Sequence, residues 1–346
     1  MLLRNLRGRL LLSLGLSAAV FVALTVYGDV TQVAAALVSF RWDLVPAILG
    51  LTLLNYLLRF LKWQFYLSRI GVQGLRRRDS ALIFCTGMAM AMTPGKVGEW
   101  LKSYLLRELA GTPMSRSAPI VLAERLTDGL ALVLLASGGL VLLPVAGQAI
   151  AALGAAAVVG LGVVWYRPLA DAIFTAAEGI GPLRSPVQHL RIFYDATRTL
   201  FSPASLTLAL VLGVVSWGAE CLAFWLVLQG LGLEGGPLLV VQAAFILAAS
   251  TLGGALLLTP GGLGVAEGSI AGLSQLLLAL PRDLAAAAAL LIRLSTLWFG
   301  VSLGLVALLL VSRRLAALPE RAAQEVNLTP GPSPSPLRSS NEGTGE

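Results

Sequence analysis

The sequence predicts an all-α polytopic membrane protein with two inverted-topology repeats, each carrying a broken or re-entrant helix hairpin. Three observations lead there. Hydrophobic residues make up 57% of the 346 positions and charged residues only 12%, a balance foreign to a soluble domain and ordinary for a chain that crosses a bilayer repeatedly. Several apolar runs approach the ~20 residues that a membrane-crossing helix needs. One apolar region is interrupted by Thr93-Pro94-Gly95-Lys96-Val97-Gly98-Glu99. The interruption returns as Thr259-Pro260-Gly261-Gly262-Leu263-Gly264-Val265-Ala266-Glu267. Pro followed by Gly breaks a helix, and charges beside the break have no place in a plain span.

The formal charge of +7 would suit nucleic acid, but its position excludes that partner. Most Lys and Arg lie in short loops beside the apolar runs, where such residues fix orientation on the cytoplasmic side. Cys85 and Cys221 lie in separate apolar segments without metal-ligand spacing. Free buried thiols are expected, with no disulfide framework, metal or cofactor.

In chain order, residues 1–9 are short and basic, and 10–27 form a first span running outward. No small-x-small site precedes Gly28-Asp29, so the span reads as uncleaved. Residues 29–42 read as an interfacial helix ending on the aromatic anchor Trp42. A second span, 43–67, returns inward and places Asn55, Arg59 and Lys62 on one face. A charge at mid-membrane costs about 2.5–3.5 kcal/mol, so that face should meet protein or a wet cavity. Residues 80–110 read as a re-entrant hairpin broken at Thr93-Pro94-Gly95. Residues 117–143 form the next span, with Glu124 and Asp128 one turn apart and Arg125 within reach of Asp128. A turn at 144–148 leads to the Ala- and Gly-rich span 149–166, a packing helix.

Residues 167–205 are polar and basic and predict one or two amphipathic helices on the cytoplasmic face. The single histidine, His189, reads as an ordinary surface residue there. A span at 206–231 carries Ser216 and Glu220 outward. The second broken hairpin occupies 237–280, and the last span, 284–311, carries Arg293 back to Arg313-Arg314. From 319 onward the chain is rich in Pro, Ser, Gly and Glu, and disorder is expected. The chain thus divides into 1–42, repeat unit 43–143, a linking segment 144–205, repeat unit 206–312 and a tail 313–346. Only Arg41 and Arg282 fall in external loops, and both termini lie in the cytoplasm.

The two units align residue by residue. Pro94, Gly95 and Gly98 match Pro260, Gly261 and Gly264, and Glu99 and Arg125 match Glu267 and Arg293. Upstream, Asn55, Arg59 and Gly71 match Ser216, Glu220 and Gly232. The opening spans of the two units run in opposite directions, so the copies are upside down relative to each other. Inverted repeats with broken helices in matching positions point to transporters with the substrate where the repeats meet. The tetrapeptide Leu-Thr-Pro-Gly alone carries no weight, since it recurs at 328–331. The full pattern, twice, is what signifies.

A helix break frees N–H groups at the start of the following half-helix, and with the dipole these form an anion site. Gly95, Gly98, Gly262 and Gly264 would let a headgroup approach the backbone. Lys96, Arg59, Lys62, Arg125 and Arg293 would neutralise a phosphate. The competing reading is that Pro and Gly only kink the helices and the charges pair with one another. Arg59 and Glu220, at equivalent positions, would pair across the pseudo-twofold. Glu99 and Glu267 would carry protons, meet substrate amines, or cap their half-helices.

Both Thr-Pro-Gly…Gly…Glu loops, the run Ala123-Glu124-Arg125-Leu126-Thr127-Asp128 and the number of spans resemble the flippase-like membrane part of bacterial lysylphosphatidylglycerol synthases, over about residues 10–312. The positions that match are Pro94, Gly95, Gly98, Glu99, Glu124, Arg125, Asp128, Pro260, Gly261, Gly264 and Glu267. The resemblance implies movement of a polar-headgroup lipid between leaflets of the cell membrane. The full synthases carry a soluble aminoacyl transferase domain, whereas here only a short tail follows Arg314, so synthase activity is not expected. The expected function is therefore a lipid translocase. The alternatives are a membrane enzyme acting on a lipid headgroup and a membrane subunit that recruits a separately encoded lipid-modifying enzyme. No phosphate-binding loop is present, because Gly95-Lys96 is followed by Val97, so ATP drive is not expected.

Overall fold

The computed structural model describes residues 2–93, 98–139, 146–178, 184–257 and 259–328. Pro94, Gly95, Lys96, part of the turn at 144–148 and the tail past 328 lie outside the described residues. Among the described residues the fold is all-helical, with no strand.

The first helix, α1 (Leu2–Tyr27), ends at Gly28-Asp29, and α2 (Val30–Ser39) leaves it at 95°. Asp29 makes the corner. It adopts φ 66° and its carboxylate accepts the Thr31 and Gln32 amides at 2.9 and 3.3 Å, a local capping that offsets the left-handed backbone. A 3-10 turn at Trp42–Leu44 and Pro46 lead into α3 (Val45–Arg69). Trp42 is half exposed, as an interfacial anchor requires.

Helix α4 (Arg77–Met90) stops before the first break. A 3-10 turn at residues 98–100 and then α5 (Leu101–Ala110) follow it. Helix α6 (Met114–Ser137) turns Glu124 and Asp128 inward. The linking segment is α7 (Ala146–Trp165), α8 (Arg167–Glu178) and α9 (Arg184–Leu200). His189 is exposed on α9. Then come α10 (Pro203–Gly230), α11 (Pro237–Leu256), the second break and α12 (Val265–Leu278). The last span is α13 (Arg282–Arg293), a π turn at Leu294–Trp298 and α14 (Phe299–Leu328). Helix α14 runs past Pro319, where disorder was expected. The Ala, Leu, Glu, Gln and Arg residues around that proline are strong helix formers.

Among the described residues, four helical segments are long and apolar enough to cross a membrane: Trp42–Arg69, Pro203–Gly230, Pro237–Leu256 and Arg282–Arg314. Counting each bent pair, α1–α2 and α7–α8, as one span raises the number to six. Helix α6 is not among them because Glu124, Arg125 and Asp128 interrupt its apolar run. The chain is thus a multi-pass membrane protein.

Helix α3 lies against α10, α4 against α14, and α11 against α6. One core gathers α10, α11, α12 and α13. Within it the run Ala285–Ala289 is fully buried, small side chains that let backbones approach closely. Cys221 is buried in this core and Cys85 is half-buried on α4; both are free thiols. Where α4 meets α14, a Cβ on Gly304 would lie 2.7 Å from the Cys85 carbonyl and 2.9 Å from the Ala89 Cβ. Backbone atoms cannot yield there. Gly304→Ala should therefore cost about 1–3 kcal/mol through overpacking. Gly268→Ala, at a helical glycine with open space around it, should leave stability equal or up to about 1 kcal/mol higher. Thermal unfolding of both variants in detergent checks the contrast.

Candidate functional site

The two helix breaks meet. The amide of Gly261 donates to the carbonyl of Ala91 at 3.1 Å, so the end of α4 and the second break hold each other tip to tip. Gly261, Gly262 and Gly264 all have positive φ, and a Cβ on Gly261 would lie 3.0 Å from the Met92 sulfur. Only glycine serves at that point of contact.

Each break replaces its lost helical hydrogen bonds locally. The Thr93 hydroxyl donates to the Met90 carbonyl at 2.6 Å and accepts the Gly98 amide at 2.8 Å. Gly98 is needed because a Cβ there would strike that hydroxyl at 2.7 Å. In the second break, residues Pro260–Gly262 form a 3-10 turn closed by Gly262 N–H to Thr259 and Leu263 N–H to Pro260. Glu267 then closes the start of α12. It accepts the Gly264 amide at 2.7 Å and Arg293 Nε at 2.6 Å, while Arg293 Nη2 donates to the Gly261 carbonyl at 2.6 Å. Glu267 is thus both cap and counter-ion.

The first half has the matching pair. Arg125 Nε lies 2.8 Å and Nη2 2.5 Å from Glu99 Oε2. In both halves Glu and Arg are 26 residues apart. Two expected pairings are not found. Arg125 bonds to Glu99 and not to its helical neighbour Asp128. Arg59 lies 3.3 Å from Asp128 and makes no salt bridge to Glu220. Asp128 also receives Lys62, and Glu124 receives Lys102. The residues on α6 share one helix, yet each points to a different neighbour: Arg125 to the first break, Glu124 to α5, Asp128 to α3. Asn55 and Ser216, matched in sequence, touch directly through Asn55 Nδ2 and the Ser216 carbonyl at 2.8 Å.

Lys102 sits over the rings of Trp63 and Phe84, at 4.8 and 6.0 Å from their centres. Glycine at position 87 makes room for it, since a Cβ there would meet Lys102 Cδ at 2.8 Å. Arg59 lies over Trp217 at 5.6 Å. Charges this deep persist only when paired and hydrogen-bonded.

A cavity of about 140 Å³ opens among these groups. Ala91 and Glu99 from the first break and Gly261 and Gly262 from the second line it, with Arg59, Glu124, Arg125, Glu220 and Arg293. A second cavity of about 420 Å³ adjoins it and is walled by Leu122, Leu132, Leu252, Phe193, Asp128 and Thr259. The two share Glu99, Arg125, Trp217, Thr251 and Ala255. Thr93, Gly98, Pro260, Gly264 and Glu267 hold the backbone of the breaks behind these walls. Sequence reasoning passed over Lys102, Trp217 and Tyr56. A signal existed for the first two: Lys102 follows Glu99 by three residues and Trp217 precedes Glu220 by three, which puts each beside an acid on its helix.

Breaking a buried pair costs about 3–5 kcal/mol because it strands the partner. Arg293→Met, which leaves Glu267 and the Gly261 carbonyl unmatched, should fall in that range. Arg41→Ala, at a pair 61% and 64% exposed, should cost less than about 1 kcal/mol. Thermal denaturation of the two purified variants gives the comparison.

No curated protein matches this chain. The family described as the lysylphosphatidylglycerol synthase TM region does, over residues 10–304. The match takes in both breaks, all the ion pairs among α3, α5, α6, α12 and α13, and both cavities, and so the chain belongs to the family of the lysylphosphatidylglycerol synthase transmembrane region.

Proposed function

We propose that the protein is a flippase-like lipid translocase of the cytoplasmic membrane, a transporter and not an enzyme. The observation that carries this reading is the meeting of two interrupted helices, Gly261 N–H on Ala91 carbonyl, at a cavity lined by three arginines. Irregular backbone at membrane depth is tolerated where it is buried in protein or lines a watery cavity, and half-helices converging on one cavity suit an anionic group. The substrate is a lipid with a polar headgroup, an anionic phospholipid or a polyprenyl-linked lipid. Its headgroup passes the cleft while its chains remain in the bilayer.

The acids support the arginines in this scheme. Glu99, Glu124, Asp128 and Glu267 each hold a cation in a fixed direction, which orients donors toward a phosphate without binding it outright. In this reading the two repeat units insert with opposite orientation, and the Lys and Arg of the short loops support cytoplasmic termini.

Proteoliposomes containing a trace of fluorescent headgroup-labelled phosphatidylglycerol test the proposal through the rate at which inner-leaflet label becomes accessible to an impermeant quencher. Wild type should far exceed protein-free vesicles. Gly261→Leu, which forces a side chain into the tip-to-tip contact, should slow the rate by about tenfold or more, the equivalent of about 1.4 kcal/mol. Wild type no faster than empty vesicles would remove the proposal.

A further inference from the structure

The interior charges leave one carboxylate over. Among the described residues, Glu99 is bridged by Arg125, Glu124 by Lys102, Asp128 by Lys62 and Arg59, and Glu267 by Arg293. Glu220, in the middle of α10, is only 7% exposed and lines the smaller cavity, yet among the described residues it makes no salt bridge or hydrogen bond. An isolated charge at such a place is costly unless something meets it.

The groups that face Glu220 do not meet it. From α3 come Tyr56 and Arg59, from α6 Asp128, and from α13 Arg293; Cys221 follows it on α10 itself. Helix α11 brings no titratable side chain. Both arginines lie close enough to act on its charge, but Arg59 is held on Asp128 and Arg293 on Glu267 and the Gly261 carbonyl. The cavity wall does offer oxygen atoms. The hydroxyls of Tyr56, Thr251 and Thr296 donate to the Thr296, Leu247 and Ile292 carbonyls respectively and keep lone pairs for a cation. One turn before Glu220, the buried Trp217 Nε1 lacks a partner, an N–H ready for a headgroup oxygen.

We propose that Glu220 binds a monovalent cation, a proton or a sodium ion, that moves together with the lipid headgroup. This rests on the translocase reading and adds the coupling to it. Arg59 supplies the link. Asp128 is already held by Lys62, so Arg59 leaves it without stranding a charge. With a cation on Glu220, Arg59 stays on Asp128, as in this structure, and the smaller cavity remains open. Without the cation, Arg59 is drawn across the cavity to Glu220. Occupancy of one carboxylate thereby selects between two arrangements of the same arginine, the differential interaction that any coupled transporter requires.

The test follows cation and lipid separately. Vesicles holding the full chain and labelled phosphatidylglycerol are given a pH gradient, a sodium gradient or neither. Wild type should change its translocation rate by at least about fivefold under one of the two, a typical coupling, which identifies the cation. Glu220→Gln, whatever its absolute rate, should not respond. A wild type that moves lipid but is indifferent to both gradients, or a Glu220→Gln variant that responds as wild type does, overturns the proposal. In detergent without lipid probe, radioactive sodium binding and proton uptake are compared for wild type, Glu220→Gln and Glu220→Asp. Loss in the first and altered affinity in the second support the site, even if no lipid moves, in which case the translocase reading alone falls. Unchanged binding in both variants, or no binding by wild type, overturns the site.

Discussion

A single hydrogen bond, from the Gly261 amide to the Ala91 carbonyl, sets the terms for the rest of this structure. Inside a bilayer no water is available to a backbone that leaves its helix, and each orphan group costs several kcal/mol. Two breaks placed tip to tip satisfy part of each other's need. Everything near them serves the same end: the Thr93 hydroxyl spans one break, Glu267 caps the helix after the other, and Arg293 reaches back to the Gly261 carbonyl. The glycines at the contact follow from its closeness, since a side chain at 261 would run into Met92.

Pairing explains how so many charges stay buried. Lys62 is 1% exposed and Lys102 4%, with Asp128 and Glu124 at 3% and 4%. These salt bridges are not sources of stability in the way a hydrophobic core is, because desolvation takes back most of the attraction. A purely structural solution would replace them with leucines. Their retention around a cavity, with Arg59 and Arg125 partly open to it, makes sense if the charges meet something that is itself charged.

Much of this was legible in the sequence, and the limits are physical. The spans followed from apolar length, and the breaks from Pro-Gly at equivalent places. The Glu–Arg spacing is identical in the two copies of the motif, and the structure turns it into two ion pairs that the spacing alone did not specify. Partner choice was not legible. Helical periodicity tells which face Asp128 occupies but not whether α3, α5 or α10 lies opposite, so a pairing of Arg59 with Glu220 is as legible in the sequence as the salt bridge to Asp128 that the structure shows. Lys102 was passed over because a lysine on a polar short helix reads as solvated. Its burial depends on Gly87, Trp63 and Phe84, brought to it from two other helices. The continuation of α14 past Pro319 reflects local helix propensity outweighing the proline.

The two breaks are alike in sequence but not in what they present. The Thr93 hydroxyl is consumed in stitching its own break, whereas the Thr259 hydroxyl is without a partner beside the larger cavity. Arg125 is 31% exposed in its pair and Arg293 only 12%. The first break thus pairs a partly exposed guanidinium with a spent threonine, and the second an enclosed guanidinium with an open threonine. In a translocase such asymmetry would not by itself drive net movement, because a path that favours entry also slows exit by the same free energy. Direction has to come from the lipid's own gradient or from a second species bound in the same cavity. Glu220, the interior acid without a salt bridge among the described residues, is where the chain has room for one.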